Sequence, residues 1–468
     1  MITKRLLVEI FYFLAVFLIY LSFARYTESI PVSSGLGWDG VLYANIALDP
    51  IKELESGKIE KQKIQRILPS IVAYVIVKGI GRDLNHQNVI IGFQILNALC
   101  MTLSYLYFLK ICNFLKFSKK QIIIGFILCF INFQFIKFYS YCPVLTDYFA
   151  FFLSIIGTYF WINNNKSGLL IIAFLAAFTW PALFLQILIQ ISFNFENNKI
   201  ANFDIKNITN RTKILQFSVF LGITLSIYSV YLIKTKTFPY FDKPEIIYLT
   251  IGFINVFLTT VFISYSIIHS LLDAKLLNRV SIFLSKWIFI SLFLYVTINI
   301  FIGTLPTVNS NVTFKYTFNL FLIRSYEFPL INIISHSIIL SPIVVYFMFK
   351  YKLSIYSMKW GGIGMVFMFL LNFTFFFNSE TRHLLHFYPI LVLAFIRITE
   401  VKISYLLLVH IFLSSFYINF NTNSFNSDLF FLFLGPFISR DYYIYLFTSS
   451  MVALILFSLC SSKFKMSS

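Results

Sequence analysis

Long apolar runs alternate with short charged gaps along most of this chain. Runs at about 6–25, 88–111, 121–138, 148–162, 214–233, 246–268, 286–303, 331–349, 360–377, 384–398, 402–419 and 441–460 are each read as a membrane-crossing helix. One further run, 168–194, is interrupted by Thr179-Trp180-Pro181. Proline lacks a backbone donor and clashes with the preceding turn, so this run predicts two short helices meeting near one membrane face. The run 67–80 is too short to be counted as a span. The pattern predicts an all-α polytopic transmembrane protein of about 12–14 membrane helices, including the broken pair, in one integral-membrane domain over residues 1–468. A single break and no internal repeat are visible.

Charge in the gaps orients the pattern. Lys4 and Arg5 precede the first run, which puts the N-terminus in the cytoplasm and residues 26–65 outside. The first run imitates a signal peptide but lacks a clean small-residue cleavage site, so it reads as a retained anchor. Alternation then places Lys110 to Lys120, Lys275/Arg279, Lys350/Lys352, Arg397/Lys402 and Lys463/Lys465 inside, with both termini cytoplasmic. Outside fall the first loop 26–65, a second at 139–147 and a late loop at 378–389. Asp242 and Arg324 are also outside and read as interfacial charges. Between Ile46 and Ile64, apolar positions spaced among charges predict short helices lying on the membrane surface.

Composition narrows the class. The chain is 59% hydrophobic and 12% charged, with mean hydropathy +0.81, which excludes a soluble domain. Its net charge of +18 would suggest nucleic acid in a soluble protein; here the cations sit between apolar runs and act as topology determinants. The five cysteines lack ligand spacing, so neither a disulfide framework nor a zinc site is predicted. No Walker lysine motif and no Gly-rich strand-to-helix turn is present, so any energy must arrive in the substrate. Little Ala and Gly with much Lys, Asn, Ile and Phe points to an AT-rich bacterial genome and an inner (plasma) membrane location.

Four groups of polar residues fall on the outer side. Gly35-Leu36-Gly37-Trp38-Asp39-Gly40-Val41-Leu42-Tyr43 sets a carboxylate between glycines and aromatics; Arg66 precedes Leu68-Pro69; Thr146-Asp147 opens a span. The fourth, Glu380-Thr381-Arg382-His383-Leu384-Leu385-His386-Phe387-Tyr388-Pro389, is the densest ionisable patch in an apolar setting. Each has an ordinary reading: Asp-Gly is a common turn, Asp147 a helix N-cap, and Arg382 a side chain reaching for headgroups. Together they suit transfer from a lipid phosphate. Asp39 is the candidate catalytic base. Arg66 and Arg382 are candidates for the leaving phosphate, with donors from His383, His386 and Tyr388. Trp38, Tyr43 and Asp147 complete the substrate-binding set, Asp147 steering the acceptor or sharing a divalent metal with water. His383 and His386, at i and i+3, lack a third ligand at matching spacing, so no metal ligands are assigned. Mg or Mn is the one cofactor left open.

This pattern resembles the GT-C superfamily of integral-membrane glycosyltransferases, which use polyprenyl-phosphate sugars on the extracytoplasmic or lumenal side. The string Trp38-Asp39-Gly40…Tyr43…Ile46-Ala47 is most similar to the branch of the GPI-anchor mannosyltransferases. The resemblance implies that Asp39 is the base and that Arg382 contacts the lipid phosphate. It departs in the second loop, which lacks a paired acidic motif, and at Thr179-Trp180-Pro181, where relatives often carry Thr-Arg-Pro. The implied function is an inverting transfer from a polyprenyl-phosphate-linked sugar to a hydroxyl of a glycan, lipid or lipid-linked acceptor, with no nucleic acid partner. Two rivals are an O-antigen-type glycan polymerase or ligase, which would depend on late-loop arginines, and a non-enzymatic lipid or sugar transporter, which would show paired repeats and broken helices in both halves.

Overall fold

The computed structural model describes residues 13–22, 29–30, 32–197, 211–235, 244–272, 286–308, 313–326, 328–403 and 443–460, with single positions 406 and 409. Among these the chain is all helix, without a named strand. Four helices are long and apolar enough to cross a membrane: His86–Phe114, Arg211–Thr235, Ile246–Leu271 and Lys286–Thr304. The last is mostly unburied within the protein and exposes Phe289, Phe293 and Ile300. Such a surface is stable only against lipid, and the molecule is a polytopic helical membrane protein.

The chain divides into two compact units. The first comprises residues 1–117, 134–192 and 286–311. In it the His86–Phe114 helix packs against Asp147–Ile162 and Leu68–Gly79, and Pro181–Ser192 against Lys166–Ala177 and Lys286–Thr304. The expected break at Thr179-Trp180-Pro181 is present, separating Lys166–Ala177 from Pro181–Ser192. The helices Asp39–Leu48, Pro50–Glu55 and Lys61–Ile64 fill the first loop; the last two lie in the stretch 46–64 where the spacing predicts short helices, and the first begins at Asp39, in a stretch read as a turn. Asp49 starts the second of these by accepting from Lys52 N at 3.1 Å, with Pro50 needing no partner in the first turn. The run 67–80 forms Leu68–Gly79, 12 residues. At about 1.5 Å per residue that is roughly 18 Å, short of a bilayer's hydrocarbon core.

The second unit comprises residues 118–133, 193–285 and 312–468. Its spine is the pairing of Arg211–Thr235 with Ile246–Leu271, the latter also packing on Tyr351–Gly361. Here the structure departs from the sequence pattern. The run 121–138 is not one helix: Lys119–Phe130 ends at Ile131, because Asn132 turns its amide back to Leu128 O at 3.0 Å and competes with the backbone. The run 331–349 is likewise two helices, Ile331–Ile339 and Pro342–Phe349, parted by Leu340-Ser341, with Ser341 capping Ile343 N. The chain therefore has further breaks beyond the single one expected. Helices Phe314–Arg324 and Tyr351–Gly361 occupy stretches read as connections. The late span begins at Tyr388, after a short 3-10 turn at Thr381–Leu384. Most of the span expected at 402–419, the ends of the first span, and Asp242 lie outside the described residues.

Candidate functional site

The polar groups gather into one cluster in each unit. In the first unit, Asp39 is the first residue of the Asp39–Leu48 helix and Trp38 its N-cap, the indole 43% exposed. Asp147 likewise opens Asp147–Ile162, where it is buried. Both carboxylates thus sit at helix N-termini, whose unpaired N–H groups favour negative charge. Two glycines bring the first and second loops together. Gly37, at φ +75°, takes a left-handed conformation, and a Cβ there would lie 3.1 Å from Cys142 Sγ. A Cβ on Gly40 would lie 3.1 Å from Val144 O. Ile30 N donates to Tyr141 O at 2.9 Å, and the Asn97 amide holds Pro143 O at 2.8 Å. The start of the Asp39 helix is therefore packed on the loop that leads into Asp147.

Asp39 has a partner that the sequence did not reveal. Lys63, on the Lys61–Ile64 helix, places Nζ 2.6 Å from Asp39 Oδ1. The same ammonium lies 6.0 Å from the ring centre of Tyr43, one turn after Asp39 on its helix. The Tyr43 hydroxyl is buried and has no hydrogen-bond partner among the described residues. The Lys61–Ile64 segment is fixed from both sides. Lys61 N and Ile59 O pair with Val308, and Leu68 N donates to Phe178 O at 2.9 Å. That last bond brings Arg66 to the Thr179–Pro181 break, its guanidinium 4.2 Å over the Trp180 ring. A cation is thus present at the break, supplied by the first loop.

In the second unit the late loop forms a charged cluster. Arg324 Nη1 donates to Glu380 Oε1 at 2.9 Å, Arg382 Nη2 lies 3.5 Å from Glu380 Oε2, and His383 Nδ1 is 3.7 Å from the same oxygen. Burial alone would raise the Glu380 carboxyl, but the charges of Arg324, Arg382 and His383 outweigh it and hold the group at about 2, below its ordinary 4.5. Two guanidiniums around one carboxylate leave the cluster net cationic, suited to an oxyanion. Arg324 is therefore not a lone interfacial charge.

A buried polar network positions this loop. His336 Nδ1 meets Thr381 Oγ1 at 2.9 Å and Ser335 bonds Ser379 O; the Asn332 amide donates to Phe376 O at 2.8 Å and is itself joined to Asn255. Of the remaining candidates, His383 also contacts the Asn378 amide at 2.6 Å, and His386 is buried with its ring edge-on to Phe375. Tyr388 is fully buried and its hydroxyl is engaged by Leu128 O at 2.8 Å and Leu340 O at 3.3 Å. That places Tyr388 in the scaffold, not among donors facing a ligand. No group of three or more metal-ligating side chains occurs among the described residues.

The structure thus joins Asp39, Tyr43 and Arg66 to Lys63, and Arg66 to Trp180, and it joins Arg382 and His383 to Glu380 and Arg324. Lys63 and the Asn255–Asn332–His336 network went unread in the sequence, and Arg324 was read there only as an interfacial charge. The i,i+3 spacing of Lys63 and Arg66 was the one local signal available for any of them. No protein-family model matches the chain, and no characterised protein or solved structure does so either.

Proposed function

We propose that this membrane protein is an inverting glycosyltransferase that moves a sugar from a polyprenyl-phosphate donor to an acceptor hydroxyl on the extracytoplasmic side. The observation that supports it most is the setting of Asp39. It is a partly exposed carboxylate at a helix N-terminus, between two glycines that press its loop onto the loop before Asp147, with the Lys63 ammonium beside it and Tyr43 one turn on. Asp39 takes the proton of the acceptor hydroxyl. The oxygen attacks the anomeric carbon as the bond from that carbon to the phosphate oxygen breaks, and polyprenyl phosphate leaves with the electron pair. Arg66 in the first unit, and Arg382 with Arg324 in the second, are the phosphate-binding candidates. A phosphate leaving group needs little acid help, so positioning and electrostatics supply most of the rate. The same reading places the protein in a bacterial inner membrane.

The test is release of free polyprenyl phosphate from a panel of polyprenyl-phosphate sugars by the purified protein in lipid, read by mass spectrometry. Asp39→Asn should lower the rate by about 10²–10⁴ while the protein stays folded, which is what a positioned base contributes. Full activity in that variant would remove Asp39 from the chemistry. Arg382 of the late loop shares Glu380 with Arg324, and this clustering of two arginines gives the polymerase or ligase reading one specific support. Loss of transfer in Arg382→Ala with full transfer in Asp39→Asn would favour it.

A further inference from the structure

We propose that Lys63 is a latch on Asp39 that opens when a phosphate-bearing ligand takes over the lysine. This deepens the transferase reading and rests on its assignment of Asp39 as the base. With Lys63 Nζ 2.6 Å from Asp39 Oδ1, the ammonium occupies the lone pair that would otherwise accept a hydroxyl proton. Lys63 is therefore a positioning residue: it sets when Asp39 can act.

The lysine is placed to let go. Its side chain is 20% exposed and that of Asp39 30%, so the pair sits at a wet edge, where a single ion pair is weak. Arg66 follows one turn later, its backbone N–H donating to Lys63 O at 3.0 Å. One segment thus presents two cations, one engaged by a carboxylate and one lying on an indole. A phosphate, with several acceptor oxygens and full negative charge, competes for both at once. Tyr43 supplies an independent indication. Its ring centre lies 6.0 Å from the same ammonium, and its buried hydroxyl lacks a hydrogen-bond partner among the described residues. A buried donor left unmatched by the protein calls for a partner, and a ligand oxygen can supply one. The ligand class is a phosphate ester or phosphate ion, and its arrival draws Lys63 away from Asp39, so phosphate binding precedes proton removal.

The experiment uses the full chain in lipid nanodiscs. Carboxyl groups are labelled with a water-soluble carbodiimide and glycine ethyl ester, and the Asp39 peptide is quantified by mass spectrometry with farnesyl phosphate, farnesol or inorganic phosphate present. An ion-paired carboxylate is protected, and a rise of about two- to fivefold matches what a pair of this exposure is worth. A rise with farnesyl phosphate but not farnesol supports the latch with a lipid-borne phosphate, and a rise with inorganic phosphate alone supports it with a free one. No rise with either overturns it. Lys63→Gln should label at the raised rate without ligand, and Lys63→Arg should behave as wild type; Lys63→Gln at the resting rate also overturns it. The wild-type arm needs no variant to fold. Sugar transfer without phosphate-dependent labelling would remove the latch and keep the transferase. Phosphate-dependent labelling with sugar transfer undiminished in Asp39→Asn would keep the latch and remove the base.

Discussion

Replacing Glu380 by glutamine isolates the electrostatics of the late loop. The side chain is 12% exposed and faces Arg324, Arg382 and His383, and its carboxyl is held at about 2 against an ordinary 4.5. At ~1.4 kcal/mol per pH unit, that difference corresponds to about 3 kcal/mol of folding stability at neutral pH. The sign follows from the folded carboxyl binding its proton more weakly than the unfolded one. The contribution is complete above pH 4.5 and disappears as pH falls through 4.5 toward 2. Glu380→Gln should therefore be less stable than wild type by about 3 kcal/mol at pH 7, since two guanidiniums lose the carboxylate charge between them. The gap should close as acid protonates the wild-type carboxyl. Unfolding in dodecylmaltoside micelles, followed by tryptophan fluorescence at a series of pH values, measures both. A gap absent at pH 7, or one that stays constant into acid, would refute the account.

Other substitutions separate scaffold from chemistry. Tyr388→Phe should cost about 1 kcal/mol of stability and leave sugar transfer unchanged, because its hydroxyl serves two backbone carbonyls. Gly40→Val should lower the thermal midpoint by the equivalent of about 1–3 kcal/mol and reduce transfer, since the new side chain meets Val144. Burial lowers the Lys166 amine to about 8 from 10.5 although it donates to Gln190 O and Ile191 O. The unfolded chain then binds that proton more tightly, so stability should rise between pH 8 and 10.5, by up to about 2 kcal/mol after allowing for partial solvent access. Lys166→Met should flatten that slope in the same unfolding assay.

The helical membrane class was legible because lipid leaves a strong, one-dimensional signal: runs of apolar residues bounded by charge. The break at Thr179–Pro181 was legible for the same reason, as proline has a local steric consequence. Pro342 sits at a break of the same kind, but the run 331–349 carries no charge around it and was read as one span. The break after Phe130 had no proline at all. It depends on Asn132 reaching back to Leu128 O, a choice that rotamer and neighbours make. Asp39 stood out through its flanking glycines, whereas Lys63 looked like one more cation in Lys61-Gln62-Lys63-Ile64-Gln65-Arg66. Only the fold brings it across a separation of 24 residues to the carboxylate. Arg324 was misread because its partner lies 56 residues away.

The helix ends at Phe178 and at Phe377 adjoin the candidate sites, and backbone hydrogen bonding explains why. Each helix end in an apolar surround exposes carbonyls that water cannot satisfy, so a break persists only where specific donors cover it. Phe178 O, at the end of Lys166–Ala177, is covered by Leu68 N, and the carbonyls ending Pro181–Ser192 by the Lys166 amine. In the second unit Leu128 O is covered by Asn132 and Tyr388, while Phe376 O and Phe377 O are covered by Asn332 and Ser325. The donor segment that seals the first break also carries Arg66 onto Trp180, and the donors that seal the late loop hold Glu380 between its arginines. Satisfying the backbone and positioning the charged groups are thus the same act of folding. Ser325→Ala and Asn332→Leu should therefore weaken the cluster around Glu380, without touching any of its charges. The expected readout is a shift of the acid transition of wild type toward higher pH. An unchanged acid transition in both variants would uncouple the network from the site.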